Sequence, residues 1–354
     1  MKDAGDFTAA HDFVPRHPPS FVTRAIALAR TPGWRKWALY GASGLAVAAA
    51  YLVVLYLEGI APDQLGLIHL ILPVFAFAGV PALAFFNVLA ARALAAARPV
   101  LSVDDRGLDQ LPYRMTTLPP RQTLVAAAGG LLGLVALTAL QPADTYERLQ
   151  IMVTPVATVI EWMLQVLTWS GVGVVAFEIA RKLLIIDEIY RRHIRINILS
   201  PGPQYAFARL AAAMVTFTMA VIAAATLALG ELATTTQWAV AAGVPAVLAA
   251  IAFVAPLWGA HRLLAAEKAR NVDALGAQIA ATVVLLRNRV DADDLDRVGR
   301  LRDALEGLIT ARSEYRAVST WPWQRSTLGG VVTALIVPLA IWLITSWLEG
   351  GLRA

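Results

Sequence analysis

The chain has no cysteine, four lysines and only 16% charged residues over 354 positions. The missing cysteine excludes disulfides, thiolate metal sites, iron–sulfur ligation and cysteine nucleophiles, and leaves the redox compartment unread. The scarcity of charge excludes a water-soluble fold. Soluble domains carry about 25% charged residues, whereas here hydrophobic residues are 58% of the chain and mean hydropathy is +0.61. That much apolar surface cannot be hidden in one soluble core, so lipid is the solvent for much of the chain. Enzyme signatures are missing too: there is no HExxH, G-x-S-x-G, Walker loop or GxGxxG. His11, His17, His69, His193 and His261 are scattered without metal-ligand spacing. These absences argue against an enzyme and give no cofactor and no metal site.

What the sequence does have is seven alanine-rich apolar stretches, near residues 37–57, 68–90, 123–141, 153–177, 207–229, 238–258 and 327–348. Each is about 20 residues, the length that crosses a hydrocarbon core of about 30 Å. Prolines 73, 81, 155, 245, 256 and 338 fall inside these spans. Lipid-embedded helices tolerate them because neighbouring helices satisfy the freed carbonyls.

Orientation follows from the basic residues. Arginine supplies 26 of the 30, which with the abundant alanine suggests a GC-rich prokaryotic genome. The N-terminal tail and segments 91–122, 178–209 and 259–326 together hold 28 of them; the alternate segments hold Arg148 and Arg353 only. The positive-inside rule then predicts a prokaryotic cytoplasmic (inner) membrane protein with its N-terminus inside and its C-terminus outside. Residues 1–36 read as a cytoplasmic tail without a signal peptide. The net charge of +5 and the pI of 9.7 would suit nucleic acid. The basic surplus beside anionic headgroups accounts for them instead, so the expected partner is the lipid bilayer and no nucleic acid.

Outside the spans, residues 15–36 read as an interfacial lead-in, with Phe21, Val22, Ala25, Ile26 and Ala29 at helical spacing. Glu178, Arg181 and Lys182 are spaced for a weak surface ion pair at i+3 and i+4. The alternation His193-Ile194-Arg195-Ile196-Asn197-Ile198 suits an extended segment. Residues 261–326 form the one sizeable soluble part. Val272, Leu275, Ile279, Val283, Leu286 and Val290 make one heptad-like stripe, and Val298, Leu301, Leu305, Leu308, Arg312 and Tyr315 make another, separated by Asp291-Ala292-Asp293-Asp294. Two equal arms about a short turn predict an antiparallel coiled-coil hairpin, open to a cytoplasmic protein partner or to a second copy through residues 272–315. Trp321-Pro322-Trp323 at its return reads as an interfacial anchor, with an aromatic ligand cage as the alternative.

Glu161 is the carboxylate within a span, and Gln165 and Thr168 share its helix face. A carboxylate at that depth costs roughly 2.5–3.5 kcal/mol on insertion scales, so it faces the bundle interior or a wet cavity. Three readings stay open: an ion or proton pathway along Glu161, Gln165 and Thr168; an interhelical hydrogen bond; or a span starting at Trp162 that leaves Glu161 among headgroups. Thr216, Thr218 and Thr226 read as back-bonded to helix carbonyls. Gly129-x-x-x-Gly133 reads as a close-packing motif.

Pro201-Gly202-Pro203-Gln204-Tyr205-Ala206-Phe207-Ala208-Arg209-Leu210 and Thr320-Trp321-Pro322-Trp323-Gln324 resemble stretches in uncharacterised prokaryotic polytopic membrane proteins that carry a cytoplasmic helical hairpin before the last span. The resemblance implies the arrangement of the C-terminal half and no activity. The sequence thus predicts an all-α polytopic membrane protein: a tail (1–36), a six-helix bundle (37–260), a hairpin (261–326) and a seventh helix (327–354). It is expected to be a channel or transporter with a polar path on the fourth helix, or alternatively a membrane-anchored scaffold or sensor acting through the hairpin.

Overall fold

A computed structural model describes residues 17–28, 34–61, 65–101, 105–140, 154–192, 202–229, 236–292, 298–321, 323 and 325–352. It is all-α. A short helix α1 (Phe21–Leu28) leads to α2 (Trp34–Leu57) and α3 (Leu67–Ala97); a single 3₁₀ turn (Arg98–Val100) and α4 (Asp105–Thr116) follow. Then come α5 (Pro120–Leu140), α6 (Pro155–Arg192), α7 (Gly202–Leu229), α8 (Thr236–Asp291), α9 (Val298–Ala317) and α10 (Arg325–Leu352). Among the described residues seven helices are long and apolar enough to cross a membrane, one at each of the seven predicted spans. The protein is therefore an integral, multi-pass membrane protein.

Helices α3, α6 and α7 form the centre. α2 lies on α3, α5 on α6, α10 on α7, and α8 against both α6 and α7. Their shared core holds Phe86, Ile186, Phe207, Met214, Met219 and Leu257, all nearly or fully buried. The rings of Phe86 and Phe217 meet edge-on at 5.4 Å. The helices open outward to apolar side chains such as Val125, Leu132, Val247 and Trp347. Such faces need lipid or another chain against them.

Half of the predicted close-packing motif is in place: a Cβ on Gly133 would stand 3.4 Å from the Trp169 ring. Gly129 faces open space, while Gly130 on α5 meets the backbone of Gly173 and Trp169 on α6. A Cβ on Gly173 would stand 2.8 Å from the Gly130 nitrogen and 3.0 Å from its Cα. These two glycines, one from each helix, let the backbones touch. Thr218 and Thr226 donate to the carbonyls of Met214 and Ile222 at 3.0 and 2.8 Å, as expected.

The basic segments converge on one end of the bundle. Ser20 caps α1 through the Thr23 amide at 3.2 Å, and the same segment docks on the α4–α5 junction: the Ser20 amide donates to the Leu118 carbonyl at 3.0 Å, and the Leu118 amide donates to the Thr23 hydroxyl at 3.1 Å. α1 is therefore fastened to protein as well as set for lipid. Its inward residue is Val22, while Phe21 is 55% exposed. Ala29 of the expected apolar face lies outside the described residues. Within 91–122, α3 continues to Ala97, and α4 follows because Leu111 and Met115, one turn apart, bury themselves in the core together with Leu118. The extended segment expected at 193–198, with His193, lies outside the described residues.

α8 is one helix of 56 residues, about 84 Å at 1.5 Å per residue, far more than a bilayer requires. α9 returns alongside it, running antiparallel. Lys268 donates to the carbonyls of Arg316 at 2.6 Å and Val318 at 2.8 Å, and Gly276 leaves room for the Arg312 guanidinium. The expected stripe on α9 and Val272, Leu275, Ile279 and Leu286 on α8 are half-buried, and the seam departs from the expected one at two valines. Val283 and Val290 are 42% and 50% exposed, while Thr282, Leu286 and Arg289 lie half-buried. The 3–4 alternation survives, but it continues from Ile279 to Thr282 instead of Val283, which turns the valines outward. At the return, Trp321 stacks on His261 at 4.0 Å and on Trp323 at 4.3 Å, and Trp323 stacks on Phe253 at 5.7 Å. His261 Nδ1 donates to the Thr320 carbonyl at 3.2 Å. The tryptophan faces are filled by one another and by α8.

Candidate functional site

Polar side chains inside an apolar bundle cluster at two levels of α6. Its buried face runs Ala157, Glu161, Leu164, Thr168, Val175, Glu178, Lys182, Ile186 and Ile189, at spacings of three, four and seven. Glu161 and Glu178 lie about 25 Å apart along it at 1.5 Å per residue.

The first level holds the residues singled out from sequence. Glu161 is fully buried against protein, six residues inside the helix. Tyr51 on α2, itself 3% exposed, donates its hydroxyl to Glu161 Oε1. The Tyr51 ring lies parallel to His69 of α3 at 6.4 Å, and His69 Nδ1 donates to the Gly66 carbonyl at 3.1 Å. The sequence does not reveal Tyr51 as the partner of Glu161, because a tyrosine in an apolar span gives no signal of what it will face. Gln165 is half-buried on the same side of α6. Thr168 is 9% exposed, and its hydroxyl has no hydrogen-bond partner among the described residues. That is unusual here, since Thr158, Thr218 and Thr226 all bond the carbonyl four residues back. One turn beyond Thr168, Gly171 meets Gly79 of α3, so the helices close against each other below this level. Outward-opening grooves of about 750 and 430 Å³ lie elsewhere among the described residues, and neither is lined by Glu161, Gln165 or Thr168.

The second level overturns a sequence expectation. Glu178, Arg181 and Lys182 are not a weak surface group: Glu178 is 1% exposed and Lys182 0%. Lys182 Nζ lies 2.5 Å from Glu178 Oε1 and donates also to Asn87 Oδ1 of α3 at 2.9 Å and to the Met115 carbonyl. An ammonium has three donors, and all three find acceptors. Arg181 holds the other side of the carboxylate, Nε to Oε2 at 2.8 Å and Nη2 to Oε1 at 3.2 Å, and donates to the Arg114 carbonyl at 2.5 Å. Asn87 donates to the Thr116 carbonyl at 3.1 Å, and Arg114 pairs with Glu188 at 2.6 Å.

The acceptors Arg114, Met115 and Thr116 are the last three residues of α4. The final carbonyls of a helix have no partner within it, and the helix dipole puts partial negative charge there. Two cations and an amide from α6 and α3 supply that partner. The sequence misses this because α4 is needed to bury the group. Spacing alone shows that Glu178 can reach Arg181 and Lys182, not that a third helix will cover them.

No family model, curated protein or solved structure matches the chain.

Proposed function

We propose that the chain is a membrane-held scaffold that presents the α8–α9 hairpin, on the cytoplasmic side of a prokaryotic inner membrane, to a protein partner. The observation that carries this reading is the apolar tip of the hairpin. Val283, Val284 and Leu285 are 42%, 57% and 53% exposed. They lie about 70 Å along α8 from Thr236 at 1.5 Å per residue, beyond His261, Arg262, Lys268 and Arg270 and therefore outside any bilayer. A helix that is apolar all round belongs in an interior, and α9 covers one side of it only. Exposed apolar side chains on the spans have lipid to cover them; those at the tip have water unless a protein docks. The buried ion network and the aromatic stack at the hairpin's base suit a rigid mount.

The test is a photo-crosslinking amino acid at position 284 or 285 in native membranes, against controls at Arg302 and Asp303, exposed on α9. A protein adduct at the former pair and none at the controls is expected, and its mass separates a second copy from a different protein. Equal labelling at all four positions, or none, contradicts the scaffold reading.

One observation favours the transport reading: the unpartnered Thr168 hydroxyl two turns from the buried Glu161 carboxylate. On that reading Glu161, Gln165 and Thr168 bind an ion or proton in transit. Flux into vesicles holding wild type or Glu161→Gln decides it; equal flux in both, or no flux, removes the case.

A further inference from the structure

We infer that the groove between α5 and α6 is a binding site for one acyl chain of an anionic phospholipid, with Arg121 holding the phosphate. The groove encloses about 750 Å³, within the range of about 300–1,000 Å³ that ligand sites occupy. Its walls are apolar, with Gly129, Gly133, Trp169, Val172 and Phe177 among them, and it opens toward lipid: Val125 beside it is 73% exposed and Val172 44%. Its floor is the backbone contact of Gly130 with Gly173, so it does not lead into the bundle.

Length and charge choose the occupant. From Arg121 to Gly133 is about 18 Å along α5 at 1.5 Å per residue, close to one leaflet of a hydrocarbon core of about 30 Å. The polar residues of the lining, Arg121 and Gln122, are both exposed and both at one end, the end where the basic segments gather. Arg121 takes part in none of the ion pairs among the described residues. A guanidinium free to make a forked contact suits a phosphate. A slot one leaflet deep, apolar along its length and cationic at its mouth, has the shape and charge of a lipid standing upright. A second groove of about 430 Å³ between α3, α7 and α10 repeats the pattern, with Arg209 in its lining.

The experiment is native mass spectrometry of the full chain released from detergent with phosphatidylglycerol or phosphatidylcholine added. Wild type should retain phosphatidylglycerol in preference. Arg121→Gln should lower that preference about fivefold, the factor that one basic contact at an anionic surface is worth. Gly129→Leu fills the groove, and since a Cβ at Gly129 meets nothing within 4 Å the fold has room for it; it should lower retention of both lipids. Arg98→Gln, at the same end and outside the groove lining, should change neither. Should Gly129→Leu fail to fold, Arg121→Gln decides alone. Wild-type preference in Arg121→Gln overturns the assignment, as does displacement of the lipid by inorganic phosphate alone.

Discussion

Replacing Glu178 by alanine takes away the one carboxylate that touches Lys182 among the described residues, while leaving its ammonium fully buried. It also leaves Arg181, 13% exposed, with its bond to the Arg114 carbonyl. Breaking a buried ion pair by removing one partner costs about 3–5 kcal/mol, because the remaining charge is stranded. The converse change differs. In Lys182→Met, Glu178 keeps both of its bonds to Arg181, at 2.8 and 3.2 Å. The groups orphaned are neutral: the Met115 carbonyl, and Asn87 Oδ1, whose amide still donates to Thr116. Unsatisfied neutral acceptors cost about 1–3 kcal/mol. Glu178→Ala should therefore destabilise the bundle by about 2 kcal/mol more than Lys182→Met. The double variant should be milder than the sum of the two, because its second substitution removes the charge that the first one strands. Reversible unfolding in mixed micelles, followed by tryptophan fluorescence, reads all three. Equal losses, or strict additivity in the double variant, would refute the claim that these charges are buried together under α4.

At the other level of α6, Tyr51→Phe removes the donor to Glu161 and should cost about 1–3 kcal/mol in the same assay; a neutral result would mean that this hydrogen bond contributes nothing to the bundle. Gly130→Ala forces a Cβ into the Trp169 backbone and should cost about 1–3 kcal/mol or more. Gly129→Ala, facing open space, should stay within about 0.5 kcal/mol of wild type. Trp321→Ala removes the ring between His261 and Trp323, and should speed proteolysis within residues 298–321 before the spans unfold. The inside–outside assignment is checked with single cysteines at Asp3 and Ala354, on a chain that has none of its own; an impermeant maleimide applied to intact cells should label position 354 and spare position 3.

Seven spans are legible in the sequence because lipid imposes a length and a composition on every helix that crosses it, and residues such as 207–229 meet both without reference to the rest of the chain. Likewise Glu161 stands out because a carboxylate in such a stretch costs free energy wherever the helix packs. The antiparallel pairing of α8 with α9 could be anticipated from two equal arms and a turn, but not the last turns of its α8 seam: Val283 and Thr282 both fit a 3–4 rhythm, and packing against α9 chose Thr282. The same holds for Gly130 over Gly129, since adjacent small residues differ only in which one the neighbouring helix meets.

Sequence by itself thus determined the solvent of each segment and the gathering of basic residues into alternate segments, because hydropathy and charge are properties of a residue taken alone. Tertiary structure decided which polar groups face each other across the bundle. Lys182 looked like a surface cation until Asn87 and the last turn of α4 closed over it, and Tyr51 found Glu161 from 110 residues away. The physical reason is that desolvation depends on everything that surrounds a group, and those surroundings exist only once the helices have assembled.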